Sequence, residues 1–322
     1  MIWDKIERPI MALAPMADVT DAAFRRIIAK YGKPDVMWTE FISADGLALA
    51  LEAGRKKFLK DLEYSEAERP IVAQFFTSSP EHMKGAAELV AKLGFDGIDI
   101  NMGCPDRSVE KQGAGASLMK NVVLARELVR AAKEGAPNLP VSIKTRTGYG
   151  KPDLENWLPE ILKEDPAIVT VHARTRKEMS KAPARWEFVR RAVEIRDLSG
   201  KETLIFGNGD VKDLEEARMR VRETGCDGVM LGRAIFGNPW LFTEGHMPSV
   251  EERLKVLIEH TKLFEELLDD YKNFAVMKKH FKAYVTGFDG AGDLRVKLMD
   301  TNNASEVEAV INNFLLYYSH EK

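Results

Sequence analysis

A cysteine stands where a buried apolar run gives way to a loop: Asn101-Met-Gly-Cys-Pro105 directly follows Gly97-Ile-Asp-Ile100. Gly103 and Pro105 make a tight exit, so Cys104 belongs to a loop and not to a core. A thiol so placed has two chemistries open to it: proton donation as a general acid, or attack as a thiolate if its pKa is lowered. The plain alternative is a small packing residue, and Cys226 is read that way. Polar residues also end the other short apolar runs: Gln74, Lys144 with Arg146, His172 with Arg174, Asn208 with Asp210, and Arg233. Lys144 would be costly if buried alone. It is either half of an interior ion pair with Glu40 or Asp99, or a cation facing an anionic ligand or a developing charge. His172 divides evenly between a satisfied interior histidine and a ligand contact. Gly207-Asn-Gly-Asp210 and Gly232-Arg233 make the strongest local case. Their glycines let backbone N–H groups approach an anion, and Arg233 adds a forked contact, which points to a phosphate.

Such residues form a site only if the runs that carry them end on one face. Eight runs can be marked, at 10–17, 36–42, 71–76, 97–102, 141–147, 168–173, 203–207 and 228–235. Segments with helical spacing separate most of them. Ser79-Pro80 opens one that Gly94 closes, Asn121 caps another that precedes Gly135, and Asp213 opens a third that stops at Gly225. Strand–helix repetition predicts parallel strands with right-handed crossovers, and eight units favour a closed (β/α)₈ TIM barrel over an open sheet. In 141–146 Val141 and Ile143 share one face while Ser142, Lys144 and Arg146 share the other. The polar face therefore turns inward at the carboxyl end, where barrel active sites lie. The seventh and eighth ends are the usual phosphate site of such barrels.

Near Gly245 the pattern changes. Ser249-Val-Glu-Glu252 is a capping box opening a helix through Tyr271, and further helices are expected over 274–285 and 302–318. The chain thus reads as an α/β barrel over 1–245 and a small all-helical domain over 246–322. In the middle helix Phe274, Met277, Phe281 and Tyr284 form an apolar stripe, with Lys278, Lys279 and Lys282 opposite. Taken alone, that lysine cluster is a solvated face.

The 322 residues suit a barrel of about 250 residues with an appendage. No apolar run approaches the roughly 18 residues of a membrane span, and the first residues hold no signal-peptide core. Two cysteines and no metal-ligand spacing among six histidines point to a reducing cytoplasm, no disulfide framework and no metal. A net charge of −3 counts mildly against nucleic acid, though a local basic surface stays open.

Taken together, these stretches resemble the tRNA-dihydrouridine synthases. The resemblance rests on Ala14-Pro-Met-Ala-Asp-Val-Thr-Asp21, Asp99-Ile-Asn-Met-Gly-Cys-Pro105, Lys144-Thr-Arg-Thr-Gly148, His172-Ala-Arg-Thr-Arg176, Asn208-Gly-Asp210 and Gly232-Arg-Ala234, in the family's order over nearly the whole chain. It implies an FMN enzyme in which NADPH, or NADH, reduces the flavin. Flavin N5 then passes hydride to C6 of a tRNA uracil, and Cys104 protonates C5. Pro15, Met16 and Ala17 would contact FMN, and Gln74 would hydrogen-bond its ring. Lys144 and His172 would line the isoalloxazine, and Asn208, Gly209, Asp210, Gly232 and Arg233 would hold the phosphate. Asn101, Arg146 and Arg174 are substrate-side candidates, and Lys278, Lys279 and Lys282 would grip tRNA. The expected partner is tRNA, with no DNA or membrane, and a monomer is the default. Two rivals stand beside this reading: a flavin dehydrogenase of a free pyrimidine, and a non-catalytic RNA-binding barrel.

Overall fold

The computed structural model describes residues 2–318. Its strands are β1 (Ile10–Leu13), β2 (Met37–Ser43), β3 (Ile71–Phe76), β4 (Gly97–Met102), β5 (Val141–Arg146), β6 (Ile168–His172), β7 (Leu204–Asn208) and β8 (Gly228–Leu231). The helices are α1 (Ala22–Tyr31), α2 (Ala44–Leu49), α3 (Glu52–Asp61), α4 (Pro80–Leu93), α5 (Arg107–Glu110), α6 (Val122–Gly135), α7 (Leu154–Leu162), α8 (Glu187–Ser199), α9 (Leu214–Thr224), α10 (Val250–Leu268), α11 (Lys278–Tyr284), α12 (Ala291–Met299) and α13 (Ala304–Tyr318).

All strand pairs are parallel and the order runs β1-β8-β7-β6-β5-β4-β3-β2. A parallel bridge between Ala12 and Val36 joins the two ends of that order. There Leu13 N–H donates to Val36 O at 3.1 Å and Asp35 N–H to Met11 O at 3.0 Å. This is the expected eight-stranded barrel. Its amino end is filled by a dry cluster that includes Trp3, Trp38, Val72, Ile168, Leu204, Phe206 and Met230. With the apolar layers below, the polar inward residues are gathered at the carboxyl end.

The helix signals act as read. Ser79 Oγ accepts from His82 N–H and Gly94 closes α4 at φ 79°, while Gly225 closes α9 at φ 72°. Asn121 and Asp213 cap α6 and α9 through their side chains. Three expectations need correction. The first run, marked over 10–17, is a strand only as far as Leu13. The eighth run stops at Leu231, because Arg233–Ile235 turns into a 3₁₀ segment. The stretch expected as one helix over 274–285 is a 3₁₀ turn, Phe274–Met277, followed by α11, and α12 was not foreseen.

Packing divides the chain into two compact units. The first holds the chain up to Ala17, Pro34–Glu63 and Arg69–Gly232; the second holds Asp18–Lys33, Tyr64–Glu68 and the chain from Arg233 on. The helical unit is therefore discontinuous in sequence and includes α1. Within it Phe24 of α1 stacks on His260 of α10 at 4.9 Å, and Arg25 is wholly buried with Glu68, Nε to Oε2 at 2.7 Å.

Candidate active site

The register sets the site's levels. Gln74 pairs with Asp99, Asp99 with Ser142, Asn101 with Lys144, and His172 with Asn208. A hydrogen-bond chain crosses three strands to reach the cysteine loop. Ser142 Oγ donates to Asp99 Oδ1 at 2.5 Å, and Gln74 Nε2 donates to Asp99 Oδ2 at 2.6 Å. Asn101 Nδ2 donates to Gln74 Oε1 at 3.0 Å. Asn101 Oδ1 then accepts from the N–H groups of Gly103 at 3.1 Å and Cys104 at 2.9 Å. The loop that bears the thiol is thus oriented by a side chain at the end of its own strand. Gly103 suits the crossing, since a Cβ there would press on the Lys144 and Thr145 backbone.

Cys104 is half-buried against Phe41, Phe76, Val109 and Ala114. A register shift in β2 between Trp38 and Phe41 sets Phe41 beside Gln74 and so contributes to this wall. Burial pushes the Cys104 thiol above its ordinary pKa, outweighing the Arg146 and Lys144 charges. That shift favours the protonated thiol, the form that general-acid chemistry requires. The glycine-rich stretch 112–117, flexible by composition, is anchored. Ser78 Oγ donates to Gln112 O at 2.5 Å, Ala116 N–H donates to Cys104 O at 2.9 Å, and Ala114 and Ala116 are buried.

Neither carboxylate considered for Lys144 pairs with it directly. Its Nζ donates to Asn208 Oδ1 at 3.1 Å, and Asn208 Nδ2 donates to Met230 O at 2.7 Å. Burial first, then the Arg146 charge, pulls the ammonium pKa down to about 8. Asp99 is held by Gln74 and Ser142, and burial raises it to about 6.

Two arginines expected on the substrate side are committed elsewhere. Arg146 is buried and donates to the carbonyls of Gly103 at 2.8 Å, Thr175 at 3.2 Å and Met179 at 3.0 Å. Arg174 is buried and donates to Ala182 O, to His172 Nε2 at 3.1 Å and to Asp210. A guanidinium only donates, so His172 Nε2 is the acceptor in that contact. Asp210, at φ 58°, also takes Ala184 N–H at 2.9 Å. Gly209 O accepts from Trp186 Nε1 at 3.0 Å. Gln74, expected on the flavin ring, is fully buried beneath Asn101. Pro15 and Met16 are half-buried and Ala17 exposed; a Cβ on Gly232 would come within 3.5 Å of Met16 Sδ. Arg233 is exposed at the start of its 3₁₀ turn. In the helical unit Lys279 and Lys282 are exposed and Lys278 half-buried, while Phe274, Met277, Phe281 and Tyr284 are buried as their spacing implied.

The residues not foreseen are Ser142 and Asp99 as anchors of the amide chain, and Phe41 and Phe76 as the thiol's wall. Alternation marked Ser142 as inward, but the strand order needed to join it to Asn101 is a tertiary fact.

Residues 12–317 match the family model described as "Dihydrouridine synthase (Dus)". The chain is 39% identical over 315 residues to "Probable tRNA-dihydrouridine synthase 2" of Bacillus subtilis (strain 168), covering 97% of this chain and 96% of that one. It is 38% identical over 315 residues to "Probable tRNA-dihydrouridine synthase" of Staphylococcus aureus (strain MRSA252), covering 97% and 95%. Among solved structures, histamine dehydrogenase from Rhizobium sp. 4-9 aligns with a TM-score of 0.55 over 79% of this chain and 48% of that chain. At 15% identity that likeness is one of fold.

Proposed function

This chain belongs to the dihydrouridine synthase family, and from that premise we propose that it reduces a uridine of tRNA to 5,6-dihydrouridine, with FMN bound in the barrel and NADPH as reductant. The observation that carries the reading is a half-buried thiol on a loop fixed at a barrel's carboxyl end, in the same cup as a cation that contacts no carboxylate among the described residues.

The residues present fit a flavin. Lys144 has a depressed pKa and a neutral oxygen as its hydrogen-bond partner, and Asp99 acts on it only through space, so it lacks a counter-charge in contact with it. A ring that becomes electron-rich on reduction would supply one. Pro15, Met16, Ala17, Gln74, Lys144 and His172 are the residues we assign to its ring. Gln74 keeps one of its two amide hydrogens beyond the one spent on Asp99, and its burial means it acts chiefly through Asn101. Asn208, Gly209, Asp210, Gly232 and Arg233 are assigned to its phosphate end. When bound, FMN supplies hydride taken from NADPH and delivered to uracil C6.

Cys104 supplies the other half of the addition. Its S–H bond breaks as a C–H bond forms at C5, the 5,6 double bond is lost, and the thiolate left behind is reprotonated from water. Asn101 keeps the loop backbone fixed while this happens, so the thiol meets one carbon and not its neighbour. Arg146 and Arg174 hold backbone and side chains of the rim. The target base must leave its stack to reach such a site, and Lys278, Lys279 and Lys282 of the helical region 246–322 are assigned to tRNA phosphates.

The test is anaerobic. The purified protein is loaded with FMN, its flavin reduced, and reoxidation followed on mixing with unmodified tRNA or with free pyrimidines. Rapid reoxidation by tRNA with dihydrouridine in the product is expected. Reoxidation by free pyrimidine alone, or no FMN binding, would overturn the reading.

A further inference from the structure

The geometry points to the Arg176–Glu110 pair as the device that positions the Cys104 loop. Glu110 ends α5, one turn of helix on the loop between Cys104 and Gly115. A helix of four residues does not hold itself together, so contacts beyond α5 must help impose the loop's shape. The Arg176 guanidinium does so from the loop after β6. Its Nε lies 2.9 Å and 3.0 Å from the two Glu110 carboxylate oxygens, and Nη2 donates to the same carboxylate. Nη2 also reaches Pro105 O, next to the cysteine, at 3.4 Å.

Arg176 is itself fixed. Its N–H donates to Gly148 O at 2.8 Å, and its guanidinium carbon lies 5.4 Å from the Tyr149 ring centroid. Lys120 Nζ sits 3.6 Å from the same centroid, so Tyr149 is flanked by two cations. Neighbouring loops after β4, β5 and β6 are thereby locked to one another. Arg146 secures the near end through Gly103 O, and Arg176 secures the far end through Pro105 O and Glu110. The pair is mostly shielded, with side-chain exposures of 23% and 11%, where a bidentate contact holds better than at an open surface. Arg176 is a positioning residue, and its role rests on Cys104 being the proton donor proposed above.

The test uses the FMN-loaded enzyme and two readouts. The first is the rate at which iodoacetamide alkylates Cys104, with buried Cys226 as internal control. The second is the split between kcat and KM for tRNA. Arg176→Gln and Glu110→Gln are each expected to raise Cys104 labelling about tenfold, because the loop opens more often. They should lower kcat by roughly ten- to a hundredfold while leaving KM for tRNA within about twofold. Arg176→Lys, which keeps the charge and loses the fork, should fall between. The exchanged pair, Arg176→Glu with Glu110→Arg, should recover slow labelling. Unchanged labelling and kcat in both single variants would overturn the proposal, and so would a rise in KM alone, which would make Arg176 an RNA contact. If the parent enzyme never turns over tRNA, the reaction reading fails, while the labelling still decides the loop.

Discussion

Asp99 determines which way two amides on neighbouring strands point. An ionised carboxylate only accepts, so Gln74 must turn its NH₂ toward it. That leaves Gln74 Oε1 for Asn101 Nδ2, and Asn101 Oδ1 for the N–H groups of the cysteine loop. Asp99→Asn offers a donor where Gln74 needs an acceptor, and the polarity of the chain is no longer fixed. We expect kcat to fall by about tenfold or more, measured by dihydrouridine formation. The same residue has a pH signature. Its folded pKa, about 6, lies above the ordinary 3.8, so the native state binds more protons between those values and loses stability as pH rises through that window. The thermal midpoint of the parent, taken relative to Asp99→Asn, should therefore drop from about pH 4 to about pH 6; a flat difference would show that Asp99 ionises normally. For Cys104→Ala, flavin reduction by NADPH should persist while product formation falls by about 10²–10⁴-fold. Unimpaired product formation would remove the thiol from the mechanism.

At the scale of elements, the glycines at the end of β7 work through a tryptophan as well as through open backbone. A Cβ on Gly207 would overlap the Trp186 ring, and that ring's Nε1 holds Gly209 O. Gly207→Ala should destabilise the protein by about 1–3 kcal/mol through overpacking. It should also weaken FMN retention, since the displaced indole releases the loop assigned to the phosphate. A thermal melt and a flavin titration check both, and normal retention would detach this loop from the phosphate. The apolar spacing of the middle C-terminal helix located its buried stripe correctly even though the first turn is 3₁₀. The loop at 112–117 illustrates the opposite case. Its glycines are permissive in composition, yet Gly113 and Gly115 are fixed at φ 75° and 61° by contacts with distant residues.

On the scale of the whole molecule, the helical unit takes α1 from the start of the chain. Removing 246–322 would strip α10 from Phe24, which is fully buried, and an aggregating fragment is expected rather than a free barrel. Soluble, monodisperse 1–245 would argue against this dependence. The same unit buries His260 and His280, 4.7 Å apart and edge to face, with no hydrogen-bond partner at any ring nitrogen among the described residues. Burial pulls both below the ordinary 6.5, His280 to about 3, with the Lys279 charge adding to the effect. Unfolded histidines therefore bind more protons than folded ones, and stability is lost as pH falls below 6.5. The thermal midpoint should decline through that range, and His280→Phe should decline less steeply; parallel profiles would count against the buried pair.

The sequence by itself determined the eight-unit barrel, the caps that start and stop its helices, the inward polar faces and the cysteine at the fourth strand's exit. Each depends on periodicity or on neighbours within a few residues, so each is legible along the chain. Only the tertiary structure decided what those polar residues bond to. Arg146 and Arg174 read as ligands by type, but burial obliges charged groups to find partners, and theirs are carbonyls and a carboxylate from other loops. The amide chain from Ser142 to Cys104, the Arg176 fork on Glu110, and the recruitment of α1 into the helical unit all join residues far apart in sequence. Hydrogen bonds and packing of that kind are set by strand order and register, which exist only once the barrel closes.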